Sequence, residues 1–302
     1  MKEMRILATI VALVLVTYYG IEPYAHHIMH PEPKAADYSF SDLKNVKKVK
    51  GNAASGKALV EANCVACHSI ESAGFAKMMP DADAAASYGV VPPDLSTAGK
   101  IYETNYLANF IYDPVTASHL SHKYSAESGK THPMPSYNWM SSQEIMDIVA
   151  YLQQVAATVK VEVDDEATIE EQLKAQHRAT FIDACGRCHS MAYAGWSALT
   201  PSDTLKAHMG AAAPDLSQYI KSRGEHYLHS FINDPQQLLH GTSMPRVGLT
   251  EEAQEDVITY MEEIGDSKKA DRESLGWKVI LYMLVFALLA LAWKKEIWKD
   301  VH

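Results

Sequence analysis

All four cysteines of the chain fall in two copies of one pattern, Cys64-Val65-Ala66-Cys67-His68 and Cys185-Gly186-Arg187-Cys188-His189. Two thiols at this spacing, with a histidine directly after the second, suit covalent haem attachment. The sulfurs form thioethers with the two haem vinyl groups, and the imidazole ligates the iron from one face. Competing chemistries fit less well. A zinc site would draw both cysteine pairs together, and a thioredoxin-like redox dithiol would want a βαβ context that the sequence does not offer. Attachment at both motifs consumes every cysteine and leaves none for a disulfide. The sequence therefore predicts two covalently bound haem c groups.

The surroundings of the motifs repeat as well. A shift of 121 residues superimposes the two halves without a gap from Cys64 to Pro114. Ser69 falls on Ser190, Gly74 on Gly195, Pro80 on Pro201 and Gly89 on Gly210. The run Pro93-Asp94-Leu95-Ser96 falls on Pro214-Asp215-Leu216-Ser217, and Asp113-Pro114 falls on Asp234-Pro235. Two copies of one haem-binding unit follow, each too long for a solenoid repeat.

Each copy reads as helical. Ala58, Leu59 and Ala62 are expected to form an apolar stripe before the first motif, as Phe181, Ile182 and Ala184 do before the second. The two Asp-Pro pairs read as helix ends, because proline disfavours helical geometry in the residue before it. Ser141–Val155 and Thr250–Ile264 open with N-cap residues and first-turn acids. Their apolar positions (Ile145, Ile148, Val149, Leu152; Val257, Ile258, Met261, Ile264) recur at helical spacing. No segment alternates as a strand would, so the expected fold class is all-α.

Both units resemble class I cytochrome c domains, in which a first helix leads into CxxCH and a last helix packs across it. The resemblance spans Gly51–Val159 and Leu173–Ser267. It implies that Gly56 lets Tyr151 of the last helix approach closely; His177 takes the aligned place in the second copy, so the contact there differs. Pro93 and Pro214 open a Pro-x-Leu element like that family's haem-side loop. There the proline carbonyl accepts the ligating histidine's other N–H and fixes its tautomer, and Leu95 and Leu216 would pack on the porphyrin.

The sixth iron position of an electron carrier commonly takes a methionine, whose soft sulfur favours Fe(II). Thirteen methionines compete. Met134 in His-Pro-Met-Pro and Met244 in Ser-Met-Pro each precede a final helix, 70 and 59 residues after the first cysteine of their unit. The excess fits an insertion around His119–Pro133. Met79-Pro80 is a decoy, since Met79 aligns with Thr200 and lies 11 residues beyond His68. His119, His122 and His132 in the first unit, and His208, His226, His229 and His240 in the second, remain alternative ligands. The metal set is thus His68, Met134, His189 and Met244.

Dense apolar runs stand at the two ends. Ile6–Ile21 follows Lys2 and Arg5, and Val279–Trp293 is bracketed by Trp277 and Trp293 and stopped by Lys294-Lys295. Both read as membrane anchors, the first uncleaved, with their basic outer ends on the cytoplasmic side. The expected division is an anchor at 1–21, a tether at 22–50, haem units at 51–159 and 173–267 joined by an acidic linker at 160–172, and a tether with a transmembrane helix at 268–302. Between the anchors lie 21 Lys and Arg against 34 Asp and Glu, a net charge of −13. That field repels nucleic acid and attracts basic partners, though a merely soluble acidic surface reads as well.

A two-haem chain with a carboxyl-terminal anchor resembles the cytochrome c1 subunit of a bacterial quinol–cytochrome c oxidoreductase, in its di-haem, epsilonproteobacterial form. Tyr19–His26 resembles the amino-terminal segment of that group. The resemblance implies placement in the inner membrane with the haem units periplasmic. Cytochrome b and a Rieske iron–sulfur subunit would be partners, and a soluble c-type cytochrome or a terminal oxidase the acceptor. Ordinary cytochrome c1 has one haem and no amino-terminal anchor, so its docking surface does not transfer. The di-haem subunit of a cbb3-type oxidase is the alternative, and a di-haem peroxidase is the enzymatic one. No quinol pocket, nucleophile–base pair or phosphate loop is legible, so the chain alone is not expected to be an enzyme.

Overall fold

The computed structural model describes residues 2–29, 34–164 and 166–300; residues 30–33 of the expected tether, Asp165 of the expected linker and the terminal residues of both anchors lie outside them. Among the described residues there is no strand, only isolated antiparallel bridges. Helix α1 (Lys2–Val16) runs through a π turn (Thr17–Ile21) into α2 (Glu22–Met29). The first unit holds α3 (Ala53–Asn63), α4 (Asp81–Tyr88), α5 (Ala98–Ile101), α6 (Thr104–Tyr112), α7 (Pro114–Ala117) and α8 (Ser142–Ala156). The second repeats that order as α9 (Ile169–Ala184), α10 (Ser202–Met209), α11 (Tyr219–Arg223), α12 (Glu225–Asn233), α13 (Pro235–Leu238) and α14 (Glu251–Gly265). Helix α15 (Lys269–Ile297) follows and runs into a 3₁₀ turn (Trp298–Asp300). The α9 helix begins inside the acidic segment, where Thr168 and Glu171 close a capping box.

The repeated residues now have local reasons. Gly74 and Gly195 end a short 3₁₀ turn with φ of 86° and 69°, and Gly89 and Gly210 end α4 and α10 at 80° and 84°. These are left-handed positions that a side chain adopts only with strain. Pro80 and Pro201 stand just before α4 and α10, where a fixed φ helps the helix start. Asp113 and Asp234 end one helix and open the next.

In the first unit α3 crosses α8. The expected stripe is wrong in part: Ala58 and Ala62 are exposed, and α3 buries Gly56 and Val60 instead. In an alanine-rich helix, apolar periodicity does not separate two faces of similar polarity. A Cβ at Gly56 would lie 1.9 Å from the Asp147 carbonyl oxygen and 3.0 Å from the Ile148 nitrogen. The close approach is therefore to the backbone of α8, one turn before Tyr151. In the second unit His177 faces acids of α14: its Nδ1 lies 3.1 Å from Glu263 Oε1 and its Nε2 3.8 Å from Asp256 Oδ1. Side-chain contacts with these acids stand there in place of the close backbone contact.

The two units interlock. Glu103 N–H donates to the Gly248 carbonyl (2.9 Å), and Thr250 N–H donates to the Ile101 carbonyl (2.9 Å), on either side of the Tyr102–Leu249 bridge. A Cβ on Gly248 would collide with the Tyr106 ring. Within the expected tether, residues 37–46 form a strap. Asn105 of α6 donates to the Phe40 and Leu43 carbonyls, and Asn109 Oδ1 accepts from the Asn45 and Val46 amides. Asp37 N–H reaches Asn233 of the second unit (3.0 Å), so the strap spans both.

One ionic cluster closes this seam. Arg246 is 3% exposed, lies over the Phe40 ring at 4.6 Å, and pairs through Nη1 with Asp42 at 2.8 Å. His119, from the insertion, sits 3.1 Å from Asp234 and 3.3 Å from Asp42. The hydrogen bond to Asp234 raises its affinity for a proton, against burial and the Arg246 charge. A raised folded-state pKa stabilises the fold fully below the ordinary value of 6.5, and this contribution is lost as pH rises through the folded value. The gap in melting temperature between the wild type and His119→Gln should therefore narrow from mildly acidic to mildly alkaline pH. A gap that widens with pH would contradict the assignment.

Candidate haem sites

Each motif sits where a helix runs out. The α3 helix ends at Asn63 with Cys64 as its C-cap, and α9 ends at Ala184 with Cys185 in that place. The chain then turns tightly: His68 N–H donates to the Cys64 carbonyl and His189 N–H to the Cys185 carbonyl, both at 2.9 Å. The turn is followed by the bridges Ile70–Phe75 and Met191–Trp196.

The Pro-Asp-Leu-Ser element meets this turn in the same way twice. His68 Nδ1 lies 2.8 Å from the Pro93 carbonyl, and His189 Nδ1 lies 2.8 Å from the Pro214 carbonyl. A carbonyl only accepts, so Nδ1 carries the proton and Nε2 is left with its lone pair. Leu95 N–H donates to the Ser69 carbonyl (2.9 Å) and Leu216 N–H to the Ser190 carbonyl (3.0 Å). Asp94 accepts from the Glu71 and Ser96 amides, and Asp215 from the Ala192 and Ser217 amides. Ser96 and Ser217 accept in turn from Ser72 and Tyr193. The roles of the aspartate and the serine were not read from the sequence, although their exact repetition was the signal that could have found them.

Electrostatics agree with neutral ligands. Burial depresses the pKa of both His68 and His189, against the raising effect of the proline carbonyl. Burial pushes the Cys64 thiol up to about 11, with the neighbouring Cys67 adding to it, and pushes Cys185 up to about 12. A redox dithiol needs a depressed pKa, so this environment disfavours that reading. All four thiols are free of disulfides, and no group of three or more His, Cys, Asp or Glu converges as a metal set among the described residues. The donor set left at each motif is two thiols for vinyl attachment and one oriented imidazole, which fits haem c.

Met134 lies in the segment before α8, half-buried against the core of the first unit. Met244 lies half-buried before α14, its N–H donating to Thr242 Oγ1. Several rival histidines are engaged elsewhere. His119 belongs to the seam cluster, His122 Nε2 meets the Thr242 carbonyl, and His229 bonds with Tyr38 and Gln254. His132 Nδ1 lies 3.0 Å from the Met134 carbonyl, so it shapes the methionine segment itself. His208 packs on Tyr124 and against Gly89.

Comparison with known proteins bears on the first unit. No curated protein matches the chain. A chain of a solved structure titled "Hyperthermophilic respiratory Complex III" shares 24% identity over 48% of this chain and 88% of its own length, with a TM-score of 0.35. The model of the cytochrome c family matches residues 53–156. This segment, α3 to α8 with the first attachment motif, is a cytochrome c domain, the kind of unit that holds haem iron for electron transport.

Proposed function

We propose that the chain is a membrane-anchored di-haem c-type cytochrome. It takes electrons from the Rieske and cytochrome b part of a quinol–cytochrome c oxidoreductase and passes them to a soluble cytochrome or an oxidase. The observation that carries the two-haem reading is the paired hydrogen bond from His68 to Pro93 and from His189 to Pro214. A second copy of a ligand-orienting bond has no purpose without a second metal to orient toward. Haem would supply one-electron chemistry; the protein fixes each imidazole tautomer and would offer Met134 or Met244 as the further ligand, with His189 buried and His68, Met134 and Met244 half-buried. Ligation by Met134 and Met244 would close both irons and so disfavour the peroxidase alternative, which needs an open position.

The ends support the membrane part of this reading. Lys2–Met29 and Lys269–Ile297 are each long and apolar enough to span, and no residue of α1, α2 or α15 is buried. Glu3 and Lys294 lie 3.2 Å apart, which sets the start of α1 level with the end of α15. That contact supports the reading of both termini on one side, and Lys294-Lys295 favour the cytoplasmic one. A cytoplasmic reporter fused after the last residue should be active and a periplasmic one silent; the reverse would invert the topology. Assignment to the quinol-oxidising complex rests on the carboxyl-terminal anchor and is tested by co-purification in mild detergent. Cytochrome b with a Rieske protein is expected, whereas a haem-copper oxidase would favour the cbb3-type alternative.

A further inference from the structure

The loop that orients the first unit's ligating histidine is held by the other unit. Residues 91–97 carry Pro93, whose carbonyl lies 2.8 Å from His68 Nδ1. At one end of this loop Val91 N–H donates to Thr200 Oγ1 at 3.1 Å. At the other end Thr97 Oγ1 donates to Asp183 Oδ2 at 2.6 Å. Thr200 and Asp183 belong to the second unit, and both stand at its attachment turn. Asp183 lies two residues before Cys185, near the end of α9. Thr200 N–H donates to the Arg187 carbonyl (2.9 Å), and Leu199 N–H to the Gly186 carbonyl (3.2 Å).

Neither hold is an ordinary local contact. Thr97 is the N-cap of α5, where a threonine hydroxyl usually accepts from the first amides of its own helix. It makes no such bond and reaches across 86 positions to Asp183 instead. Val91 and Thr200 are 2% and 1% exposed, so the Val91 N–H depends on the threonine oxygen for its acceptor. The arrangement runs one way. The 121-residue shift sets Met79 opposite Thr200 and Ala62 opposite Asp183, and neither side chain offers an oxygen. Gln218, opposite Thr97, bonds with Tyr193 of its own unit. Among the described residues no hydrogen bond ties residues 212–218 to the first unit.

We propose that Thr200 and Asp183 of the second unit are positioning residues for the iron ligand of the first. They hold residues 91–97 from both ends and so keep the Pro93 carbonyl on His68 Nδ1–H. That hydrogen bond makes the imidazole a stronger donor, which favours Fe(III) and lowers the potential. A loosened loop therefore raises the potential of the first haem and leaves the second haem alone. The proposal rests on the reading that each motif carries a haem.

The test is a potentiometric titration of the full-length, detergent-solubilised protein. A Cys64→Ser/Cys67→Ser variant, which keeps the second haem, assigns the two potentials. Thr200→Val keeps the side-chain shape and removes the hydroxyl. At a fixed potential it should raise the reduced-to-oxidised ratio of the first haem about threefold, within what one weakened hydrogen bond supplies. The second haem should stay nearly unmoved. Thr200→Ser keeps the oxygen and should keep the wild-type ratio. Thr97→Val releases the other end of the loop and should act in the same direction, so it carries the test where Thr200→Val fails to fold. A fall in the ratio, a shift falling mainly on the second haem, an equal shift in the serine variant, or no shift in a protein that holds two haems overturns the proposal. A wild type holding one haem overturns the two-haem reading instead.

Discussion

Replacing both Cys64 and Cys67 by serine should remove one haem from the chain and leave the other in place. The thioethers would be the covalent tie, beside a core that includes Val60, Ile70, Leu107, Ile145 and Leu152, with Leu95 and Met134 packed against it. A unit that loses the group its core is built around suffers the penalty of a large apolar cavity, on the order of 3–5 kcal/mol or more. The loss should spread, because the Tyr102–Leu249 bridge and the Arg246–Asp42 pair tie the units together. Haem staining of the denatured variant should fall to half, and the mirror variant at Cys185 and Cys188 should behave alike. Loss of both haems, or of neither, would sink the assignment of one haem to each motif.

Met134→His and Met244→His should each lower the potential of one haem. Thioether ligation stabilises Fe(II), and imidazole is the stronger donor to Fe(III). Axial ligation spans ~0.8 V across haem proteins, so a single exchange is worth on the order of a few tenths of a volt. The sulfur-to-iron charge-transfer band of the oxidised protein should halve in each single variant and vanish in the double. Met79→Leu should leave band and potentials nearly unchanged. An unaltered band in Met134→His would hand the first iron to another ligand, with His132 the nearest candidate by its contact with the Met134 carbonyl.

What the sequence disclosed follows from what repeats and what caps. The two glycine pairs, the Pro-Asp-Leu-Ser element and the Asp-Pro pairs are local devices, and local devices repeat in register. The last helices announced themselves through Ser141 and Thr250, both of which cap as expected. The α3 face misled because Ala58 and Ala62 carry too little apolar area to choose a side, whereas Gly56 chooses it by what it lacks. The seam was illegible for a different reason. Asn105, Asn109 and Arg246 are buried polar residues whose partners lie 62 to 204 positions away, and no periodicity reports such pairs. The insertion around His119 was visible as extra length, but its use as the joint between the units was not.

The measurement that bears most directly on the central claim is the intact mass of the denatured wild-type chain, with and without mild acid and thiol treatment. Thioether-bound haem survives both. The account predicts one species carrying two haems, and digestion should place one haem on the peptide of Cys64 and Cys67 and one on that of Cys185 and Cys188. A chain carrying a single haem, or haem released on denaturation, would contradict it.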